Sequence, residues 1–100
     1  MGKARITREA RREVDRIWAV IARDSGSIET AERVVGEIIS AINRLANMPG
    51  MGPRRDELVV GIRSYPVYRY VIFYREVPGG IQVVHVLHGA RNLRRFFRKK

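Results

Sequence analysis

The side chains able to do chemistry in this sequence are two histidines, His85 and His88, and a large excess of arginine. Neighbouring imidazoles suggest a metal site or an acid/base pair. These two stand three residues apart in a β-branched run. On a strand, odd spacing sends side chains to opposite faces, so the pair cannot grip one ion together. The absence of cysteine excludes disulfide staples, thiolate zinc sites and cysteine nucleophiles, and fits a reducing compartment. Serine-nucleophile motifs, phosphate-cradling loops and paired catalytic carboxylates are missing, and Gly79-Gly80 reads as a hairpin pair. No cofactor or metal is expected.

The arginines carry the other possible chemistry. Basic residues number 20 against 10 acidic ones, a net charge of +10, and all the bases but Lys3, Lys99 and Lys100 are arginine. Arginine forks onto carboxylates and phosphates and stays charged when partly buried, although GC-rich coding also favours it. The charge is uneven. Residues 1–12 set five bases against Glu9, residues 13–50 are slightly acidic, and the last ten carry six bases and no acid. Such a field attracts acidic partners, or nucleic acid in a salt-sensitive way.

These groups need a scaffold, and 100 residues with 45% hydrophobic content suit one domain spanning residues 1–100. No apolar run approaches the ~20 residues of a membrane helix, and no signal-type segment opens the chain, so the reading is a soluble cytoplasmic protein without membrane contact. Lys3 to Ile6 fits a short strand, with Thr7 as an N-cap. Ala10, Val14, Ile17, Trp18 and Ile21 then mark one helical face, with Trp18 as a core anchor. The cluster Asp24-Ser25-Gly26-Ser27 ends that helix. A second helix follows, with Ala31, Val34, Val35, Ile38, Ile42 and Leu45 on its buried face, up to Asn47-Met48-Pro49-Gly50. So short a connection implies an antiparallel helical hairpin.

Strands are predicted over Leu58 to Arg63, Val67 to Arg75 and Ile81 to His88, with a turn at Pro78-Gly79-Gly80. Gly89 ends the last strand, and Arg91 to Arg98 forms a short basic helix or frays, with Leu93, Phe96 and Phe97 as docking groups. The fold class is α+β: a helical hairpin on one face of a three- to four-stranded antiparallel sheet. In the second strand Tyr68, Tyr70, Ile72 and Tyr74 share the face beneath the helices. Val71 and Phe73, flanked by Arg69 and Arg75, fall on the open face. An apolar strip rimmed by arginine suits a peptide with apolar and acidic residues, unless it is an ordinary second core.

Several short motifs occur in a telling order: Thr7-x-x-Ala10, Ile17-Trp18, Pro49-x-x-Gly52, Gly61-Ile62-Arg63, Tyr70-Val71-Ile72-Phe73-Tyr74-Arg75 and Val86-Leu87-His88-Gly89-Ala90-Arg91. Together, over about residues 3–93, they resemble the ParE branch of the ParE/RelE toxins of type II toxin–antitoxin modules. The resemblance implies the same helical hairpin on a sheet, and a cytoplasmic toxin neutralised by a cognate acidic antitoxin. It also implies a choice of target, since ParE members poison DNA gyrase and RelE members cut messenger RNA on the ribosome.

Relatives of the RelE type keep basic residues on the open sheet face, one of them just after the tyrosine matching Tyr70. Val71 stands there, and Val59 and Gly61 stand where those nucleases keep lysines. Only Arg63, His88 and Arg91 remain to serve a nuclease, so gyrase inhibition is the leading expectation and mRNA cleavage the alternative. The antitoxin is expected on Arg69, Val71, Phe73 and Arg75. Arg91, Arg94, Arg95 and Arg98 are expected to face the target, with direct nucleic-acid binding secondary.

Overall fold

The structure is a computed structural model and describes residues 2–98. Strand β1 (Lys3–Ile6) leads into helix α1 (Arg8–Ser25), whose first turn is capped by Thr7, the hydroxyl accepting from the Ala10 N–H. Gly26 ends α1 in the left-handed conformation at φ +67°, which a residue without Cβ adopts at little cost. Ser27 caps helix α2 (Ile28–Asn47) in turn, accepting from the Thr30 N–H. A single 3₁₀ turn (Pro49–Met51) follows. The remainder is β2 (Arg63–Val67), β3 (Tyr70–Val77), β4 (Gly80–His88) and a short helix α3 (Leu93–Arg98).

The four strands form one sheet in the order β1-β4-β3-β2. The last three strands pair antiparallel as predicted, whereas β1 joins β4 in parallel, so the sheet is mixed. Both apolar helix faces lie against one side of it. Ile38, Ile42 and Leu45 from α2 meet Ile72, Tyr74, Ile81 and Val83 from the sheet, all essentially sealed from solvent. Each fully buried side chain of this size contributes about 1.5–3 kcal/mol. Tyr74 also ties the sheet to the 3₁₀ turn: its hydroxyl accepts from the Gly52 N–H (2.9 Å) and donates to the Pro49 carbonyl (2.7 Å).

Four expectations change. The predicted strand over Leu58 to Arg63 is mostly turn, and the strand starts at Arg63 instead. Gly61, at φ +85°, donates its N–H to the Asp56 carboxylate and folds the segment back. Pro66 lies within β2 and is accommodated because β2 is an edge strand. Tyr68 sits in the two-residue turn between β2 and β3 at φ +55° and is 63% exposed, so it does not join the tyrosine face.

Trp18 is half-buried and outside both core clusters, because it falls on the flank of the α1 stripe rather than its centre. The face carrying Val71 and Phe73 is not open either. Phe97 of α3 packs edge-on to Phe73 at 4.9 Å between ring centroids, and with Ile62 and Leu87 they make a second small core.

Candidate functional site

The parallel strand β1 is short, and what happens beyond its end creates the site. It pairs with β4 only from Gly80 to Val83, while β4 runs on to His88. The uncovered edge is taken up by α1. The Thr7 hydroxyl donates to the Val84 carbonyl (3.2 Å), and the Glu13 carboxylate accepts from the Val86 N–H (2.9 Å). Glu13 also meets Nδ1 of the buried His85 at 3.0 Å. A carboxylate only accepts, so that ring nitrogen carries the proton. The His85 ring in turn contacts Phe96 and Phe97 at 4.9 and 5.7 Å, which joins α1, β4 and α3 in one cluster.

Beside this cluster lies a groove of about 760 Å³ between α1, the end of β4 and the segment leading into α3. Its apolar lining includes Ile17, Val20 and Leu87. Arg12, Arg16 and Glu9 rise from α1 on one side, and Arg91 stands across from them beside β4. The Arg91 guanidinium lies 4.4 Å from the Phe96 ring centroid, a cation–π contact that gives an exposed side chain a fixed seat. His88 is exposed and meets Tyr70 edge-on at 5.5 Å. Its Nδ1 accepts from the Ala90 N–H at 3.0 Å, which leaves the Nε2–H of the neutral ring as a donor.

The structure separates the expected residues. His88 and Arg91 share the groove, but Arg63 is on the edge strand β2, donating to Glu76 (3.0 Å) and to the Gly52 carbonyl (2.7 Å). His85 and His88 lie on opposite faces, opposite Phe73 and Tyr70 respectively, in keeping with their spacing. No group of three or more His, Cys, Asp or Glu able to hold a metal ion occurs among the described residues. Val71 is half-buried and Phe73 wholly buried, with Arg69 and Arg75 exposed on either side. Arg94, Arg95 and Arg98 are exposed on α3, whose first turn is held by Asn92 accepting from the Arg95 N–H. Lys99 and Lys100 lie outside the described residues.

The turn between Arg54 and Ile62 is a separate charged lobe. The Gly61 N–H, with Arg54 beside it, holds the Asp56 carboxyl below its ordinary pKa, and Arg55 does the same for Glu57. Burial pushes the Tyr74 hydroxyl up, partly opposed by the Gly52 N–H.

Glu13, Arg12 and Arg16 were not singled out by the sequence reading. The available signal was the spacing Arg12, Arg16, Val20, which puts two cations and an apolar residue on one flank of α1.

Residues 4–93 match the family model described as the ParE toxin of the type II toxin–antitoxin system parDE. Toxin ParE1 of Caulobacter vibrioides is 32% identical over 90 residues, covering 90% of this chain and 92% of the relative. Toxin ParE1 of Mycobacterium tuberculosis is 34% identical over 80 residues, covering 79% and 81%. A solved structure from the chromosomal ParDE system of P. aeruginosa has the same fold, with a TM-score of 0.76 at 22% identity, over 88% of this chain and 96% of that one. With its helical hairpin, its sheet and a family match along nearly its whole length, the chain belongs to the ParE toxins of type II toxin–antitoxin systems.

Proposed function

We propose that this protein acts in the cytoplasm by inhibiting DNA gyrase and is held inactive by a cognate acidic antitoxin. The observation that carries the reading is the condition of the sheet face that an RNA-cleaving relative would use. Phe73 is sealed beneath Phe97, Val71 is half-buried, and Arg63 is engaged by Glu76 and Gly52. Metal-free RNA cleavage needs a base, an acid and cations preorganised on the scissile phosphate, and losing one such donor costs about 10²–10³ in rate. His88 and Arg91 are the two candidates that share a surface, too few for that task. The protein acts by binding.

The arginines divide between two partners. Arg12, Arg16 and Arg91 line the groove and match an acidic antitoxin, which takes the place of the expected strip now that Phe73 is covered. Arg94, Arg95 and Arg98 extend the cationic surface along α3 toward the target. Any direct contact with nucleic acid is secondary.

Induction without antitoxin should raise a DNA-damage response, with no new 5′ ends on abundant transcripts. Purified gyrase should lose supercoiling activity as the protein is added and regain it when antitoxin follows. Codon-phased cleavage of ribosome-bound mRNA, abolished by Arg91→Ala, would overturn the proposal.

A further inference from the structure

Parity along three strands gathers a group of cations that no carboxylate offsets. Ala4 and Ile6 of β1, Ile81 and Val83 of β4 and Tyr74 of β3 all pack toward the helices. Their neighbours Lys3, Arg5, Gln82 and Arg75 therefore emerge on the opposite face of the sheet. The register aligns three of them, since Gln82 stands opposite Arg5 on one side and opposite Arg75 on the other. The two arginines thus rise about 10 Å apart with a carboxamide between them. Lys3, Arg5 and Arg75 are exposed, and none of the four side chains has a partner among the described residues.

No strand residue on this face is acidic. Seven of the ten acidic residues lie on α1 and α2, in the other layer, and Asp56 and Glu57 of the charged lobe are paired with Arg54 and Arg55. Glu76 alternates with Arg75 and is engaged by Arg63. The row is continuous with the ground covered by α3, because Val84, two positions beyond Gln82, packs in the cluster that holds Phe97. Arg95 and Arg98 extend the cationic surface there, whereas Arg94 lies near Glu57.

We propose that this row, with Arg95 and Arg98 beside it, is a binding site for the phosphodiester backbone of duplex nucleic acid. The inference goes beyond the functional reading and holds whatever protein the toxin inhibits. Guanidinium groups fork onto phosphate oxygens, and the Gln82 carboxamide adds an N–H donor between them. A protein interface has an apolar centre within a polar rim, but here the centre is Gln82 and the flanks are cations. Nucleic-acid interfaces are polar and strongly positive. Single strands are gripped by stacking on aromatic rings, yet Phe73 and Phe97 are buried against each other and Arg91 sits over Phe96. A row without rings or pockets suits the outside of a duplex and reads no sequence.

The test follows a fluorescent duplex of about 20 base pairs by anisotropy, with the full chain, as salt is raised. Lys3→Gln, Arg5→Gln and Arg75→Gln, combined, should weaken binding at least about tenfold and flatten the slope of log K against log salt by about 2–3. A control variant combining Arg16→Gln, Arg33→Gln and Arg44→Gln loses the same charge from the helical layer and should change the slope by less than about 1. All six side chains are exposed, so circular dichroism should find both variants folded. Equal losses in the two variants would overturn the proposal. So would tighter binding of a single-stranded RNA of the same length, or stronger binding of polyglutamate than of the duplex at matched charge. Gyrase takes no part in the readout, so the functional reading stands or falls separately.

Discussion

Phe97 stands edge-on to Phe73, their ring centroids 4.9 Å apart, so the last helix serves as a cover for the second face of the sheet. Phe73→Ala removes a fully buried ring from the centre of β3 and should cost ~3–5 kcal/mol in urea unfolding. Phe97→Ala should cost less, since a terminal helix can undock while the helical hairpin and sheet persist. Equal losses in the two variants would show that α3 is part of the cooperative core.

The basic residues of α3 can be tested without disturbing that cover. Arg94→Gln, Arg95→Gln and Arg98→Gln together remove three exposed charges and keep both phenylalanines. The triple variant should melt within a few degrees of the parent and still bind antitoxin, yet arrest growth less strongly. Full toxicity would assign the target contact elsewhere.

Tyr74→Phe keeps the ring and deletes the hydroxyl that bridges Gly52 and Pro49. The Gly52 N–H is then left buried without an acceptor, at about 1–3 kcal/mol. Chemical denaturation measures the loss, and protection of the Gly52 amide should fall in parallel. The same contact gives a pH dependence at the alkaline end. Burial raises the folded-state pKa of Tyr74, so its contribution is complete below the ordinary tyrosine range and is lost as pH rises through the raised value. Tyr74→Phe should flatten that alkaline loss.

At the acid end the sign reverses. The Asp56 carboxyl is held below its ordinary value by the Gly61 N–H, so its hold on the turn is complete above the ordinary carboxylate range and fades as pH falls through the lowered value. The Gly61 amide resonance should shift over that acidic window. Asp56→Asn should abolish the titration, and an unchanged shift would assign it to another group.

Trp18→Ala should cost no more than about 1–2 kcal/mol, below the range for a buried aromatic, because the ring is only half-buried. A loss of ~3 kcal/mol or more in urea unfolding would restore the anchor role.

The helical hairpin was legible because apolar spacing and caps agree: Thr7, Gly26 and Ser27 stand where the helix ends require them. The strand from Tyr70 was legible by its alternation, and the parity of Ile72 and Tyr74 against Val71 and Phe73 holds in the structure. What alternation does not say is whether a face stays open. That depended on Phe97, 24 positions further along in α3, returning to cover Phe73. The strand at Leu58 failed because Asp56 and Gly61 form a local hydrogen bond that competes with a ladder. The groove was invisible for a different reason: Arg16 and Arg91 are 75 positions apart, and the docking of α1 along β4 brings their elements together.

That parallel pairing also sets an order of events during synthesis. Lys3 to Ile6, among the first residues made, have their partners at Gly80 to Val83, near the end of the chain. While the polypeptide is being extended, β1 has no strand to join and the helical hairpin has no sheet to cover. Contacts of such long sequence separation form late and slowly. The fold is therefore completed only after nearly all of the chain has left the ribosome, and the groove beside β4 comes into being in the same late step.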